Sequence, residues 1–162
     1  PLFNAAKGLN ADGISFPATQ APSADANTLD DYEEGNAPTV LKFGGASTGI
    51  TYDAANTGGS YVKIGRRVRV KLYITLTSKG SATGTATLDL PFTRSAAVGE
   101  SSVCTMQCSY LTITGMPWLT IPAGGTTATL TAMATTNGLI SVLTDTAFAN
   151  NTIIRVDFEY FV

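Results

Sequence analysis

The chain has 162 residues, a mass of 16.8 kDa and no histidine. This length fits one domain with an attached arm, and the missing histidine removes Ser-His-Asp and Cys-His nucleophiles, the commonest general base and most transition-metal sites. A net charge of −2 with a pI near 4.9 argues against a general nucleic-acid binder, and only 14% charged residues, with Gly, Ser and Thr at roughly a third, point to an all-β or assembly protein.

Charge divides the chain. Residues 1–38 hold six acids against Lys7, and residues 39–162 hold six acids against nine bases, so the parts are about −5 and +3. The acidic part carries Pro17, Pro22 and Pro38 among small polar residues with no sustained period, which reads as an extended arm or linker. Within it, Ser23 or Asn27 is a cap and Gly35 a stop for a short helical turn. The chain opens at Pro1 rather than Met, as a fragment or processed product does, and carries no signal peptide and no window resembling a membrane helix.

From about Val40 the pattern has period two, and residues 39–162 are expected to form the globular domain. Gly44-Gly45 and Gly58-Gly59 read as turns. Val68, Val70, Leu72, Ile74 and Leu76 alternate with Arg67, Arg69, Lys71, Tyr73, Thr75 and Thr77, the pattern of a strand with one apolar and one solvated face. Further strands are expected at Ala86-Leu88-Leu90-Phe92, Leu111-Ile113, Ala128-Leu130-Ala132 and Ile140-Val142, and at a C-terminal run with Ile154, Val156, Phe158, Tyr160 and Val162 on one face. Turn signals separate them at Ser78 to Ser81, Ala97 to Glu100, Ile121 to Gly125 and Thr136-Asn137-Gly138. The spacing predicts an antiparallel β-sandwich or jelly roll of seven to nine strands. Cys104 and Cys108 have neither redox nor zinc-knuckle spacing. If their segment is extended, the thiols lie about 13 Å apart on one face, too far for a disulfide, and read as buried free thiols.

The arm carries the most specific signal. Gly13-Ile14-Ser15-Phe16-Pro17-Ala18-Thr19-Gln20, followed by Ser23 through Gly35, closely resembles the "FPATQ…SADANTLDDYEEG" segment of bacteriophage tail fibre and tailspike proteins. The similarity continues in patches through Thr51-Tyr52, Tyr61-Val62-Lys63-Ile64-Gly65-Arg66, the strand from Val68, and Leu90-Pro91-Phe92. In place of the aromatic Thr-Pro usual after Glu-Glu-Gly, this chain has Asn36-Ala37-Pro38-Thr39, and residues 90–150 carry no recognised motif. The resemblance implies a homotrimer at the distal end of a phage tail, joined to a stem domain of the same protein, with a face for bacterial surface polysaccharide such as capsule or lipopolysaccharide. A purely structural trimeric cap is the alternative. A depolymerase or esterase has no residue constellation in its favour, and no cofactor, nucleic acid or membrane insertion is implied. Three arms wrapping a threefold axis would use Phe16, Leu29 and Tyr32 as anchors, with Asp30, Asp31, Glu33 and Glu34 facing solvent or meeting Arg66 and Arg67.

Carbohydrate recognition needs aromatic platforms beside polar rims. Trp118, in the turn-like Thr114 to Trp118 segment, with Tyr73 and Tyr110, supplies platforms, and Arg69 and Lys71 supply charge for anionic glycans. Each has a plain structural alternative: Trp118 as a core or interface anchor, and the Arg67-Arg69-Lys71 stripe as the guard of an edge strand or as an ion-pair strip between subunits. The acidic arm cluster lacks a calcium-loop pattern. Asp157 and Glu159 have glycosidase-like spacing but read as solvated or paired with Arg155.

Overall fold

A computed structural model of the chain describes residues 9–10, 13–14, 29, 31–100, 102–134 and 138–162. Its regular structure is fourteen strands and two short 3-10 turns, Ala54–Asn56 and Asp145–Ala147. Strands β1 (Leu9–Asn10) and β2 (Gly13–Ile14) form a small separate ladder. The other strands form two six-stranded antiparallel sheets, consistent with a β-sandwich. That is more strands than the seven to nine expected, because several are three or four residues long and escape a periodicity search.

The first sheet contains β3 (Tyr32–Asn36), β5 (Ile50–Tyr52), β6 (Gly58–Ile64), β7 (Arg67–Lys79), β10 (Gln107–Leu111) and β14 (Phe148–Phe161), in the order β10-β14-β7-β6-β3. Strand β7 is long enough for β6 and β5 to pair with it in tandem along one edge while β14 lies along the other. The second sheet contains β4 (Leu41–Phe43), β8 (Ala86–Asp89), β9 (Ser102–Thr105), β11 (Met116–Ile121), β12 (Thr127–Met133) and β13 (Ile140–Val142), in the order β4-β8-β12-β11-β9, with β13 beyond β8 on the same edge of β12.

The core lies between the sheets. Val68, Val70, Leu72, Ile74 and Leu76 of β7 and Ile154, Val156, Phe158 and Tyr160 of β14 are buried as their alternation requires, facing Leu41, Leu88, Leu119 and Leu130 of the second sheet. Each fully buried aliphatic or aromatic side chain contributes about 1.5–3 kcal/mol, so these alternating runs set the register. The Tyr160 hydroxyl donates to the Phe92 carbonyl at 3.1 Å and accepts from the Phe92 amide at 3.2 Å, and burial pushes the phenol up to about 12. This pair fixes the Leu90-Pro91-Phe92 segment to the last strand.

Several expectations change. Gly58 and Gly59 are not a turn but open β6, where Gly59 packs so closely on Leu72 and Ala37 that a Cβ would collide. Gly44 and Gly45 do form a turn, with φ of +59° and +85°. The Cys104–Cys108 segment is not one strand. The chain leaves the second sheet after Thr105, buries Met106 and joins the first sheet at Gln107, so the free thiols sit on β9 and β10 of opposite sheets. Of the segment expected to hold a helical turn, residues 23–28 and Asp30 lie outside the described residues, and Tyr32–Asn36 pairs with β6 as an edge strand. Asn137 of the expected Asn-Gly hairpin also lies outside them.

Candidate functional site

The two outer faces of the sandwich differ in chemistry. On the first sheet, register places Tyr32, Ile64, Arg67 and Phe161 in one rung, Glu34, Val62, Arg69 and Glu159 in the next, and Asn36, Ser60, Lys71 and Asp157 in a third. Cross-strand neighbours on one face interact directly. Arg69 grips Asp157 through Nε at 3.0 Å and Nη2 at 2.7 Å, and this bond holds the Asp157 carboxyl below the usual carboxylate range. Arg67 pairs with Glu159. Asp157 and Glu159 are therefore partnered by Arg69 and Arg67, not by Arg155. The stripe also sits on a strand flanked by β6 and β14, so it does not guard an edge.

Neutralising Arg67 and Arg69 moves the unbalanced charge along the sheet. Arg155, paired in register with Tyr73, lies with its guanidinium carbon 4.5 Å from the Tyr73 ring centroid. It donates through Nη2 to the Tyr73 hydroxyl at 2.9 Å and through Nη1 to Gln107 Oε1 at 3.2 Å. The bond from Arg155, with a second contribution from Thr75, lowers the Tyr73 phenol pKa. Lys71 stands beside them, its Nζ 3.8 Å from the already paired Asp157. A depression of about 560 Å³ opens here, lined by Lys71, Tyr73, Thr105, Arg155 and Asp157. A second, of about 340 Å³, lies on the other side of Lys71 and Tyr73 against Gly58, Gly59 and Ser60.

Across β9, β11, β12 and β13 the outer face of the second sheet carries no charge, and its charged residues, Lys42 and Asp89, pair with each other on the β4–β8 side. Met116, Met133 and Ile140 form one rung, Thr105, Trp118, Thr131 and Val142 the next, and Val103, Thr120 and Thr129 a third. Val103, Met116, Ile140 and Val142 are each at least half exposed. Gly115 brings the chain into β11 at φ +111°, and a Cβ there would fall 2.1 Å from the Met133 carbonyl oxygen, so this close approach requires glycine. Trp118 is thus on a strand, not a loop. Its indole is half-buried, and Nε1 is enclosed with no acceptor.

The five candidate receptor residues do not form one site. Arg69, Lys71 and Tyr73 share the outer face of the first sheet, and Trp118 is on the second sheet, where its register partner Thr105 lines the rim of the depression beside Tyr73. Tyr110 sits at a bulge in edge strand β10, with φ +60° and an exposed ring, its carbonyl held by the buried Thr152 hydroxyl at 3.0 Å. A non-glycine residue in the left-handed region at a bulge re-aims its side chain. Sequence reasoning passed over Arg155, whose partners come from strands far apart in the chain, and Gly58, whose bare backbone matters only beside Tyr73. The exposed alternation Ile140-Val142 was the one available signal for the apolar face.

The arm junction also differs from expectation. Arg66 binds Glu100 and the Val162 carbonyl, and Arg67 binds Glu159, while Glu33 and Glu34 face solvent and Asp30 lies outside the described residues. Asp31 instead forms a buried ion pair with Lys63, whose ammonium lies 5.7 Å from the Phe92 ring centroid. Glu33 accepts from the Tyr61 hydroxyl, a bond that pushes the phenol up to about 12, and Glu34 accepts from Tyr32 at 2.9 Å. Leu29 and Tyr32 are exposed, and Phe16 lies outside the described residues. Among the described residues no cluster of cysteines and carboxylates is placed to hold a metal, and no helix is long and apolar enough to cross a membrane. Comparison with protein-family models, curated proteins and solved structures finds no match to this chain.

Proposed function

We propose that this chain is a trimerisation and host-surface receptor-binding module from the distal end of a phage tail fibre or tailspike-like protein, an extended arm leading into a jelly-roll-like sandwich. The observation that carries the reading is the contrast between its outer faces. The second sheet presents an uncharged face with Trp118, Met116, Met133, Ile140 and Val142, the composition of an interface core, where charge is depleted and Trp and Met are enriched. Two further copies of the chain are its occupants, with three such faces converging on a threefold axis, because uncharged faces meet without repulsion. The first sheet presents cations, an aromatic ring and amide groups around a shallow depression, the mixture that suits a sugar's apolar faces and polar rim. The arm's resemblance to tail fibre and tailspike segments supplies the biological setting, and threefold avidity lets each site bind weakly.

The role is to hold and adhere rather than to cut. Asp157 and Glu159 are each gripped by an arginine, and the Asp157 carboxyl, held at low pKa by Arg69, is a poor general acid. An array of bacterial capsular polysaccharides and lipopolysaccharides tests the receptor role: the wild type binds a subset, and Tyr73→Ala and Arg69→Ala reduce that binding. A trimer that binds nothing on the array, and no cell that the parent phage infects, would instead support the structural cap. The neutralised Arg67 and Arg69 are the observation favouring that second reading.

A further inference from the structure

We propose that the two depressions flanking Tyr73 form one subsite for a negatively charged saccharide unit, an inference that rests on the receptor-binding role proposed above. Three cations, Arg69, Lys71 and Arg155, stand beside Asp157, which is already held by both Nε and Nη2 of Arg69, and the other carboxylate near Tyr73, Asp53, is held by the Ala55 amide and Asn56. Arg155 has no carboxylate partner among the described residues. Of its five N–H donors, two are spent on Gln107 and Tyr73, and these bonds fix the plane of the guanidinium over the ring. A planar fork held in this way presents its remaining donors to an anion with little further loss of side-chain freedom. Carboxylate and phosphate both match that fork.

The saccharide body has room on the β6 side of Tyr73. Its register partner there is Gly58, and a Cβ added at Gly58 would meet nothing within 4 Å. Any larger residue would stand in this depression, so the glycine keeps it open. Ser60 lines this depression and Thr105 the one on the other side of Tyr73, each with a hydroxyl for the sugar's own hydroxyls. The charge on the ligand, set against Arg155 and Lys71, decides acceptance, and the Tyr73 platform decides position.

The test titrates the full 162-residue chain with trigalacturonate, with mannose 6-phosphate and with neutral galactotriose, following amide and arginine side-chain resonances. At least one acidic probe is expected to shift Tyr73 and Arg155 signals and to bind at least tenfold more tightly than galactotriose. The carboxylate and phosphate arms identify the class of acid, and either supports the subsite. Arg155→Gln and Gly58→Val each weaken binding at least tenfold, while Arg67→Gln, on the neighbouring paired cation, leaves it unchanged. Gly58→Val melts at or above the wild-type temperature, so its loss of binding cannot be assigned to unfolding. Equal binding of the neutral probe, unaltered binding by Arg155→Gln, or no binding of either acid would overturn the subsite. Polysaccharide-array binding retained in both variants would overturn the subsite alone, whereas a wild type that binds nothing on the array would overturn the receptor role with it.

Discussion

Asp31 and Lys63 show how much one buried pair can matter in a chain with little charge. Both are more than nine-tenths buried, and they join the segment preceding β3 to the end of β6, the neighbouring strand. Breaking a buried ion pair by removing one partner typically costs about 3–5 kcal/mol. Asp31→Ala is expected to lower stability by about that amount in urea unfolding, and the double variant Asp31→Leu, Lys63→Met to recover most of it. Trp118 carries the opposite kind of liability. Its enclosed Nε1 lacks an acceptor, and an unsatisfied buried donor costs about 1–3 kcal/mol. Trp118→Phe discards that donor while keeping an aromatic ring, so its unfolding free energy should lie within about 1 kcal/mol of the wild type, whereas Trp118→Ala, which also opens a hole beside Thr131, should cost more than 2 kcal/mol.

At the scale of strands, β9 and β10 carry the chain from one sheet to the other through the buried Met106, with a half-buried free thiol on each. Burial pushes Cys104 up to about 11 and Cys108 up to about 12, from an ordinary value of 9.0. A raised folded-state pKa gives stability that is complete below the unfolded value and lost as pH rises, because the unfolded chain releases its protons first. Stability should start to fall above about pH 9, by up to about 1.4 kcal/mol per pH unit for Cys108 and by less for the more exposed Cys104, with the raised Tyr61 and Tyr160 phenols adding to the fall above about pH 10. Urea melts across that range should show this slope, and Cys108→Ala should flatten it. Strands β7 and β14 were legible in the sequence because each keeps strict alternation over many residues, and the buried face read there is the buried face found. The crossing at Met106 was not legible, since an apolar residue between two polar ones looks like continued alternation until the strand's partner is known. The same limit applied to Trp118 and to Gly58-Gly59: a glycine before a strand and a glycine within one have the same local composition, and only the closeness of Gly59 to Leu72 separates them.

For the whole molecule, the sandwich followed from period and turn spacing, while the candidate site depended on pairings between distant strands. Arg67, Arg69 and Lys71 were evident as a cationic stripe, but their charge could be weighed only once β14 lay beside β7 and brought Glu159 and Asp157 opposite them. That pairing moved the unbalanced charge to Arg155 and Lys71. It also left one outer face polar and the other uncharged and apolar, and the assembly proposal rests on this asymmetry. A carboxylate in the middle of the apolar face would have to be buried without a partner on association. Val142→Glu and Ile140→Glu are therefore expected to raise the dissociation constant at least tenfold, with near-UV circular dichroism of the dissociated chain showing that each variant remains folded. Sedimentation equilibrium of the wild-type chain at micromolar concentration tests the central claim most directly. The account predicts a mass about three times the 16.8 kDa of the chain, falling toward that of one chain in Val142→Glu, and a wild type that sediments as a single chain would contradict it.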